Sequence, residues 1–225
     1  MIVAARDNMM GDPPRAWYRE NCRACPRLSS FLARVKQAHG DYLCKPVPPS
    51  GAADAQLLIV GLAPGKHGAN ATGRPFTGDH AGLLLYRTLH RFGFSSSPHS
   101  HHRQDGLVLH NCRITNAVKC LPPDNKPRGD EVANCNRYLA AELAEPNLEL
   151  VLALGGLAHR AVLRALGMVL SRHPFAHNAG HRLDNGLVLI DSYHCSRYNT
   201  HTRRLTEAMF HRVFEQITGR LEGSA

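Results

Sequence analysis

Four of the seven cysteines are spaced so that their thiolates could bind one inorganic centre. Cys22 and Cys25 form a C-x2-C pair, and the short turn within such a pair directs both sulfurs to the same metal. Cys120 and Cys135 are separated by fourteen residues, a wider spacing than the second ligand pair of a typical zinc site. A cubane iron–sulfur cluster tolerates this spacing because single cysteines from separate segments can hold it. Spacing alone is compatible with a cluster, a zinc ion or plain buried thiols.

A glycine-rich loop follows an apolar segment and has the composition of a ligand-binding loop. Residues 61–70 read GLAPGKHGAN and come directly after QLLIV. Glycines permit close backbone approach, and Pro64 stiffens the turn. In an open α/β sheet such loops lie at the carboxyl ends of strands, where ligands bind. The loop matches neither G-x-x-x-x-G-K-S/T nor G-x-G-x-x-G, so nucleoside triphosphate and dinucleotide binding are disfavoured.

Net charge and composition narrow the class of partner. The 225 residues carry 27 Lys and Arg against 18 Asp and Glu, a formal charge of +9 with the 15 His neutral. This favours an anionic partner, nucleic acid before a membrane surface, with a basic solvated surface as the plain alternative. No run approaches the ~18 apolar residues of a membrane span, and the acidic, proline-containing start does not resemble a secretory signal. We therefore expect a cytoplasmic protein with reduced thiols.

Apolar runs alternate with amphipathic stretches, which predicts βαβ units. The apolar runs are expected to be parallel strands covered on both faces: 56–61, 107–116, 148–154 and 187–191. The amphipathic stretches are expected to be helices: 28–39, 81–92, 130–143, 156–166 and 199–221. The predicted fold class is α/β, a three-layer α/β/α sandwich around a small, four-stranded, mainly parallel sheet. The whole chain, 1–225, is predicted to form a single domain with a disordered or loosely packed segment at about residues 1–14.

Four segments of the chain carry motifs that are specific when they occur together. They are GLAPG at 61–65, TGRPFTGD at 72–79, ITNAVKC at 114–120 and SYHCSRYNT at 192–200. Together they resemble the uracil-DNA glycosylase superfamily, and most of all its type-b branch (family 5), which carries a 4Fe–4S cluster. The resemblance covers about residues 17–215. It implies a structural 4Fe–4S cluster with four cysteine ligands: Cys22, Cys25, Cys120 and Cys135.

The resemblance also implies that a damaged nucleotide is flipped out of the DNA into a pocket. Phe76 would stack on the flipped base, which is worth roughly 1–3 kcal/mol, and the Asn116 amide would pair with the edge of uracil. A core phenylalanine and a turn-closing asparagine are the structural alternatives. The other substrate-binding residues that the resemblance implies lie in the first loop: Gly61, Ala63, Gly65 and His67.

Asp79 and His194 complete the predicted catalytic set with Asn116. Many superfamily members place an acid or amide directly after the first glycine, but Leu62 and Ala63 follow it here, and neither can act as a base. Asp79 resembles the acid that the type-b branch uses for this role, and capping the following helix is its structural alternative. His194 resembles the histidine of the second motif, which would stabilise charge on the leaving base.

The end of the second motif is expected to face the DNA. A side chain there would fill the gap left by the flipped base, and arginines would contact phosphates, with a solvated helix surface as the alternative. Lys66 and Arg74, beside the first loop, are expected to extend this basic face. The predicted DNA-binding residues are Ser196, Arg197, Tyr198, Arg203 and Arg204.

These features predict a monofunctional DNA base-excision repair glycosylase that hydrolyses the N-glycosidic bond of uracil and leaves an abasic site. Because Leu62 and Ala63 make the pocket less polar, we also expect activity on other deaminated or modified bases such as hypoxanthine. The partner is double- or single-stranded DNA with a damaged base, and the protein is expected to be a nucleoid-associated monomer without membrane contact. A non-catalytic, metal-bearing module that senses DNA damage is the alternative.

Overall fold

A six-stranded sheet forms the centre of the computed structural model, which describes residues 17–223. The strands are β1 (Ser50–Gly51), β2 (Leu57–Gly61), β3 (Cys112–Asn116), β4 (Leu150–Leu154), β5 (Gly180–Arg182) and β6 (Val188–Ser192). Their order across the sheet is β1-β3-β2-β4-β6-β5. The four inner strands are parallel, and the two edge strands are antiparallel to their neighbours. The expected loosely packed segment at about 1–14 lies outside the described residues.

Helices cover both faces of the sheet. They are α1 (Pro26–Ala38), α2 (Ala69–Thr72), α3 (His80–Arg91), α4 (Gly129–Leu143), α5 (Gly156–Ala165), α6 (Arg197–His201) and α7 (Glu207–Glu222). Leu85 of α3 and Phe214 of α7 belong to the core on one face, and Leu139 of α4 and Val162 of α5 belong to the core on the other. The predicted α/β class is therefore confirmed. Within residues 17–223, no helix has the length and apolar character needed to cross a membrane.

The sheet has two more strands than the four that we predicted. The four apolar runs do form the four parallel strands, and all residues of β2, β3 and β4 are buried. The added edge strands β1 and β5 contain only two and three residues, among them Ser, Gly, His and Arg. Short polar edge strands have no apolar run or alternation. The prediction of a four-stranded sheet was therefore wrong in strand number.

The second predicted strand, 107–116, is shorter than expected because it begins only at Cys112. Asn111, directly before it, adopts a positive φ of 49° that interrupts extended backbone. Leu109 instead forms an isolated antiparallel bridge with Ser95. The apolar residues before the strand therefore belong to a loop that packs on the core.

The helix predicted over 199–221 is in fact two helices, α6 and α7. Arg203 lies between them with a φ of 56°, a left-handed conformation that a continuous helix cannot contain. The hydroxyl of Thr206 then accepts a hydrogen bond from the backbone N–H of Met209 and caps α7. The apolar residues that recur at every fourth position, from Leu205 to Ile217, all follow the break, and residues 199–204 contain no apolar side chain. The prediction therefore extended the helix beyond its apolar pattern.

Candidate active site

The carboxyl ends of β2, β3 and β6 open into one cleft of about 370 Å³. Gly61 at the end of β2 pairs in register with Asn116 at the end of β3. His194 follows the end of β6 by two residues. Crevices at the carboxyl ends of parallel strands are the usual ligand sites of open α/β sheets. The structure thus brings four of the predicted site residues to the wall of one cleft: Phe76, Asp79, Asn116 and His194.

Gly61 leaves room for the two residues expected to bind the base. A Cβ atom at this position would lie 2.5 Å from Oδ1 of Asn116 and 2.7 Å from Cζ of Phe76. Phe76 itself has a φ of 55°, which turns the backbone sharply between the first loop and α3. Among residues 17–223, the Asn116 amide has no hydrogen-bond partner, although only 4% of the residue is exposed. A buried amide facing a cleft is a group that a ligand can satisfy.

His194 lies beside Phe76, with ring centroids 5.9 Å apart and ring planes inclined by 32°. The side-chain amide of Asn199 donates a hydrogen bond of 2.8 Å to the backbone carbonyl of His194 and holds the turn. Burial lowers the pKa of His194 to about 4, so its ring is neutral near pH 7. A neutral imidazole still has one N–H to donate to an acceptor in the cleft.

Asp79 has both of the roles that the sequence offered, because it caps α3 and lines the cleft. Its Oδ1 accepts a hydrogen bond of 2.9 Å from the backbone N–H of Gly82. A Cβ atom at Gly68 would lie 2.7 Å from Oδ2, so the first loop packs closely on the carboxylate. Burial raises the pKa of Asp79, and its hydrogen bonds to backbone N–H groups oppose this only in part. Within the described part of the chain, Asp79 is the only carboxylate that lines the cleft.

Most of the first loop lines the cleft, but His67 points elsewhere. Leu62, Ala63 and Gly65 are in the wall, so the first loop presents an apolar surface to a bound base. The ring of His67 is exposed, and its Nδ1 lies 2.7 Å from the hydroxyl of Tyr42. His67 is therefore placed on the protein surface outside the cleft.

Two of the residues predicted to bind DNA line the cleft, and the other three are exposed on α6 or directly after it. Ser196 caps α6 by accepting a hydrogen bond from the N–H of Asn199, and both Ser196 and Arg197 line the cleft. Tyr198 is 71% exposed, an unusual fraction for a large aromatic side chain. Two further arginines, Arg203 and Arg204, are exposed after α6. The Cζ atom of Arg204 lies 4.7 Å from the centroid of the Tyr193 ring.

Arg74 does not belong to the basic face, contrary to our expectation. Its guanidinium is buried and bonds to Asp105 at 2.7 Å, to the hydroxyl of Ser100 at 2.9 Å and to the backbone carbonyl of Arg103 at 2.9 Å. Sequence reasoning could not separate this arginine from a surface one, because its partners lie about thirty positions further along the chain. Arg74 therefore holds a loop and is not available to a phosphate.

Two cleft residues were missed by sequence reasoning, His80 and Asn125. His80 begins α3 directly after Asp79, and its Nε2 lies 3.0 Å from the hydroxyl of Thr200. Asn125 reaches the cleft from the proline-rich loop after β3, where its backbone has a φ of 54°. Adjacency to Asp79 was an available signal for His80, whereas nothing in the sequence marked Asn125.

A buried network braces the strand that carries the His194 turn. The Asp191 carboxylate on β6 lies 2.7 Å from Nδ1 of His159 and 3.0 Å from Nε2 of His181. The other ring nitrogen of His159 lies 2.8 Å from the backbone carbonyl of His173. These contacts tie α5, β5 and the loop between them to the end of β6. The network therefore fixes the backbone three residues before His194.

The four cysteines expected to hold a cluster line one small cavity between the start of α1, the segment after β3, and α4. They are Cys22, Cys25, Cys120 and Cys135. Nitrogen atoms point at three of the sulfurs: Lys119 N at Cys135 (3.3 Å), Asn134 Nδ2 at Cys25 (3.7 Å) and Arg137 Nη2 at Cys22 (3.9 Å). Hydrogen bonds of this kind are expected around thiolates that bind a metal centre.

The spacing of the sulfurs favours a cluster over a single zinc ion. Among the His, Cys, Asp and Glu side chains of residues 17–223, only His159, His181 and Asp191 form a group of three or more whose ligating atoms all lie within 4.8 Å of one another. No three of the cysteine sulfurs lie that close. Around one zinc ion, with bonds of about 2.3 Å, tetrahedral sulfurs would be only about 3.8 Å apart. The four sulfurs are therefore not gathered as they would be around one zinc ion, and the iron–sulfur cluster stays a prediction.

Comparison with known proteins identifies the family. The family model "Uracil DNA glycosylase superfamily" matches residues 48–218. A type-5 uracil-DNA glycosylase of Thermus thermophilus is 45% identical, over 84% of this chain and 89% of the relative. A type-5 enzyme of Pyrobaculum aerophilum is 42% identical, over 86% and 88%, and a type-4 enzyme of Thermotoga maritima is 32% identical, over 62% and 59%. The match spans the strand ends that build the cleft, and this chain belongs to the uracil-DNA glycosylase superfamily.

Proposed function

We propose that the protein is a type-5 (type-b, family 5) uracil-DNA glycosylase, which removes uracil from DNA in base-excision repair. The observation that carries the proposal is the convergence of four side chains on one cleft: Phe76, Asp79, Asn116 and His194. The names of the type-5 relatives, which this chain matches over most of its length, support uracil as the substrate.

Recognition of the flipped base falls to Phe76 and Asn116. An aromatic face in the wall provides a stacking surface for a pyrimidine. The Asn116 amide has both a donor and an acceptor, so it can pair with O4 and N3–H of uracil at the same time. Cytosine presents an amino group and a bare ring nitrogen at those positions, and the same orientation of the amide then fits neither. The pair therefore selects for uracil as long as the amide keeps the orientation in which its NH2 donates to O4.

Hydrolysis falls to Asp79 and His194. A water oxygen forms a bond to C1′ of the deoxyribose while the bond from C1′ to the base nitrogen breaks, and the electron pair of that bond passes to the base. The Asp79 carboxylate orients the water, accepts its proton and stabilises positive charge on the sugar. The N–H of neutral His194 donates to O2 of the departing uracil, where negative charge develops. The uracil anion then takes up one proton and Asp79 releases the one that it accepted, so that the products are free uracil and an abasic site.

The enzyme is proposed to be monofunctional. Strand cleavage by a glycosylase requires an amine that forms a Schiff base with the sugar. In the part of the chain that the structure describes, no lysine lines the cleft. The abasic strand is therefore expected to remain intact after base removal.

A broader substrate range is also proposed, on the basis of Leu62 and Ala63. Both line the cleft where other superfamily members carry an acidic or amide side chain. An apolar wall carries no polar group that a wrong base would leave unpaired, and such unpaired groups are what give a site strong discrimination. We expect slower excision of hypoxanthine and of modified pyrimidines.

Excision assays test the proposal. Duplexes and single strands with one uracil, one hypoxanthine or no lesion are incubated with purified protein, and abasic sites are detected after alkaline cleavage. The wild type should release uracil fastest, and Asp79→Ala and His194→Ala should lose most of that rate. A wild type that binds damaged DNA without releasing any base would instead establish the non-catalytic damage-sensing module.

The 4Fe–4S cluster is proposed to be structural. When bound, it would join the C-x2-C segment before α1 to the segment after β3 and to α4 through its four cysteine ligands. Iron and sulfide analysis, with the absorbance of the brown protein, tests this, and Cys135→Ser should lose iron and stability. A colourless protein that holds one zinc ion would refute the cluster.

The proposed partner is DNA with a damaged base, bound by a monomer. Sedimentation of the protein alone and with an abasic duplex tests the stoichiometry, and one chain per lesion is expected. The cytoplasmic, nucleoid-associated location stays a prediction from the sequence, and imaging of a tagged protein tests it.

A further inference from the structure

A second cleft of about 320 Å³ adjoins the first. Four residues line both clefts, so the two are adjacent. The shared residues are Phe76, Asp79, His80 and Arg197. The far side of the second cleft is formed by the 98–101 segment, which includes His99 and His101. The segment belongs to a stretch rich in serine, proline and histidine, a composition typical of a surface loop.

Of the six polar side chains that line the second cleft, four are histidine or arginine. Arg197, His99 and His101 are exposed, and the rings of the two histidines lie 5.9 Å apart. His80 is held by its contact with Thr200. In the described part of the chain, Asp79 is the one carboxylate in the wall, and its Oδ1 is already bonded to a backbone N–H. This lining is complementary to an anion.

The 98–101 segment is held in place by buried contacts. The hydroxyls of Ser100 and Thr77 lie 2.6 Å apart, and Arg74 donates to the same serine. Asp105, the buried partner of Arg74, accepts the backbone N–H of His101 at 2.8 Å. Buried ionic contacts are an expensive way to hold a loop that has no role. They pre-organise the backbone under the two histidines.

We propose that the second cleft binds the phosphodiester that flanks the flipped nucleotide, with His99, His101 and Arg197 as donors. The proposal rests on the proposed glycosylase function, because it places the neighbouring phosphate of the same strand. Contacts to phosphates fix the register of a protein on DNA without reading sequence. Held at that phosphate, the strand would present its flipped nucleotide to Phe76 and Asn116 in the first cleft.

Replacing one phosphate at a time by a neutral methylphosphonate tests the proposal. A series of uracil duplexes carries this change at successive positions around the lesion, and Kd is measured with a non-hydrolysable deoxyuridine analogue. At one position next to the lesion, the change should weaken wild-type binding about tenfold, the loss expected for a charged hydrogen bond. The same change should weaken binding of the His99→Ala/His101→Ala variant clearly less than that of the wild type, because two of the three donors are already gone and only Arg197 remains.

His102→Ala is the matched control. His102 is exposed in the same loop but lines a different cavity. Within residues 17–223, its side chain makes one hydrogen bond, in which Nδ1 accepts the backbone N–H of Gln104. It should show the full wild-type penalty at every phosphate. Equal penalties in the wild type and the double variant at all positions would overturn the proposal. Absence of uracil release by the wild type would instead refute the glycosylase function itself.

Discussion

The carboxylate of Asp79 accepts the backbone N–H of Gly82 through Oδ1, at 2.9 Å, and so caps the helix that begins beside the cleft. The same carboxylate lines the cleft that is proposed to hold the base. One side chain therefore has a structural role at the helix end and a proposed chemical role in the site. The two roles respond differently to substitution, since asparagine can cap a helix but cannot act as a base.

Asp79→Asn and Asp79→Ala should separate these roles. Both variants should lose between about 100- and 10,000-fold in kcat for uracil release, the range for a lost acid–base group. Only Asp79→Ala should also lose about 1 kcal/mol of unfolding free energy, because asparagine retains the cap. Single-turnover excision and urea unfolding give the two quantities.

Thr206→Ala is the control for capping alone. Thr206 caps α7 through the N–H of Met209, and it does not line the cleft. This variant should lose about 1 kcal/mol of unfolding free energy while its kcat stays at the wild-type value. A wild-type rate in Asp79→Asn would show that Asp79 only caps α3.

The pH profile of uracil release should lack an inflection near the ordinary histidine pKa of about 6.5. Burial lowers the pKa of His194 to about 4, so this ring stays neutral as the pH falls from 8 to about 5. Burial raises the pKa of Asp79, and its ionised form is needed as the base. The rate should therefore fall on the acid side only, with a midpoint above the ordinary carboxyl value of about 3.9.

Two variants show which residue causes the loss of rate at low pH. Asp79→Asn should abolish it, because no base is left to protonate. His194→Gln should keep it and should retain more activity than His194→Ala, because a neutral amide can still donate a hydrogen bond. A loss of rate below pH 7 that disappears only in His194→Gln would contradict both assignments.

Gly61→Ala should disturb the base pocket without unfolding the protein. The new Cβ would lie 2.5 Å from Oδ1 of Asn116 and 2.7 Å from Cζ of Phe76, so both side chains must move. Displacements of this size can lower kcat/KM roughly 100-fold. Gly129→Ala is the control, because no heavy atom lies within 4 Å of its new Cβ, and it should match the wild type. Unchanged kcat/KM in Gly61→Ala would argue against base binding at this strand end.

The parts of the fold and site that the sequence predicts are those with local signals. Gly61 and Asn116 were placed at strand ends because they close apolar runs, and Asp79 was placed at a helix start because it precedes an amphipathic stretch. The site roles of Asn116 and Asp79 came from the family resemblance of their motifs. The two edge strands were missed because two or three polar residues carry no periodicity.

Contacts between distant segments had no signal of this kind. The burial of Arg74 depends on Asp105, and the orientation of His67 depends on Tyr42. Arginine and histidine occur both on protein surfaces and in functional sites, so the residue type did not decide where Arg74 and His67 lie. Their positions are set by their partners, which are distant in the sequence. The break at Arg203 is similar, because a positive φ at an arginine cannot be read from apolar spacing.

Arg74→Ala should destabilise the protein and not merely weaken DNA binding. The side chains of Arg74 and Asp105 are only 6% and 9% exposed. Burial raises the pKa of Asp105, but hydrogen bonds from Arg74 and from the backbone N–H groups of His101 and Leu107 outweigh it and hold the pKa below its ordinary value. Removal of Arg74 leaves a buried, unpaired carboxylate, which costs about 3–5 kcal/mol. Urea unfolding at pH 7 measures this loss.

The exposed pair of Arg87 and Glu207 is the matched control for Arg74. Their nitrogen and oxygen lie 3.8 Å apart and both side chains are about half exposed, so Arg87→Ala should cost less than about 1 kcal/mol. The effect of Arg74→Ala should shrink as the pH falls toward the low pKa of Asp105, because protonation of the carboxylate removes the wild-type ion pair as well. Equal losses in the two variants, or a loss for Arg74→Ala that is independent of pH, would show that Asp105 is not held by this arginine.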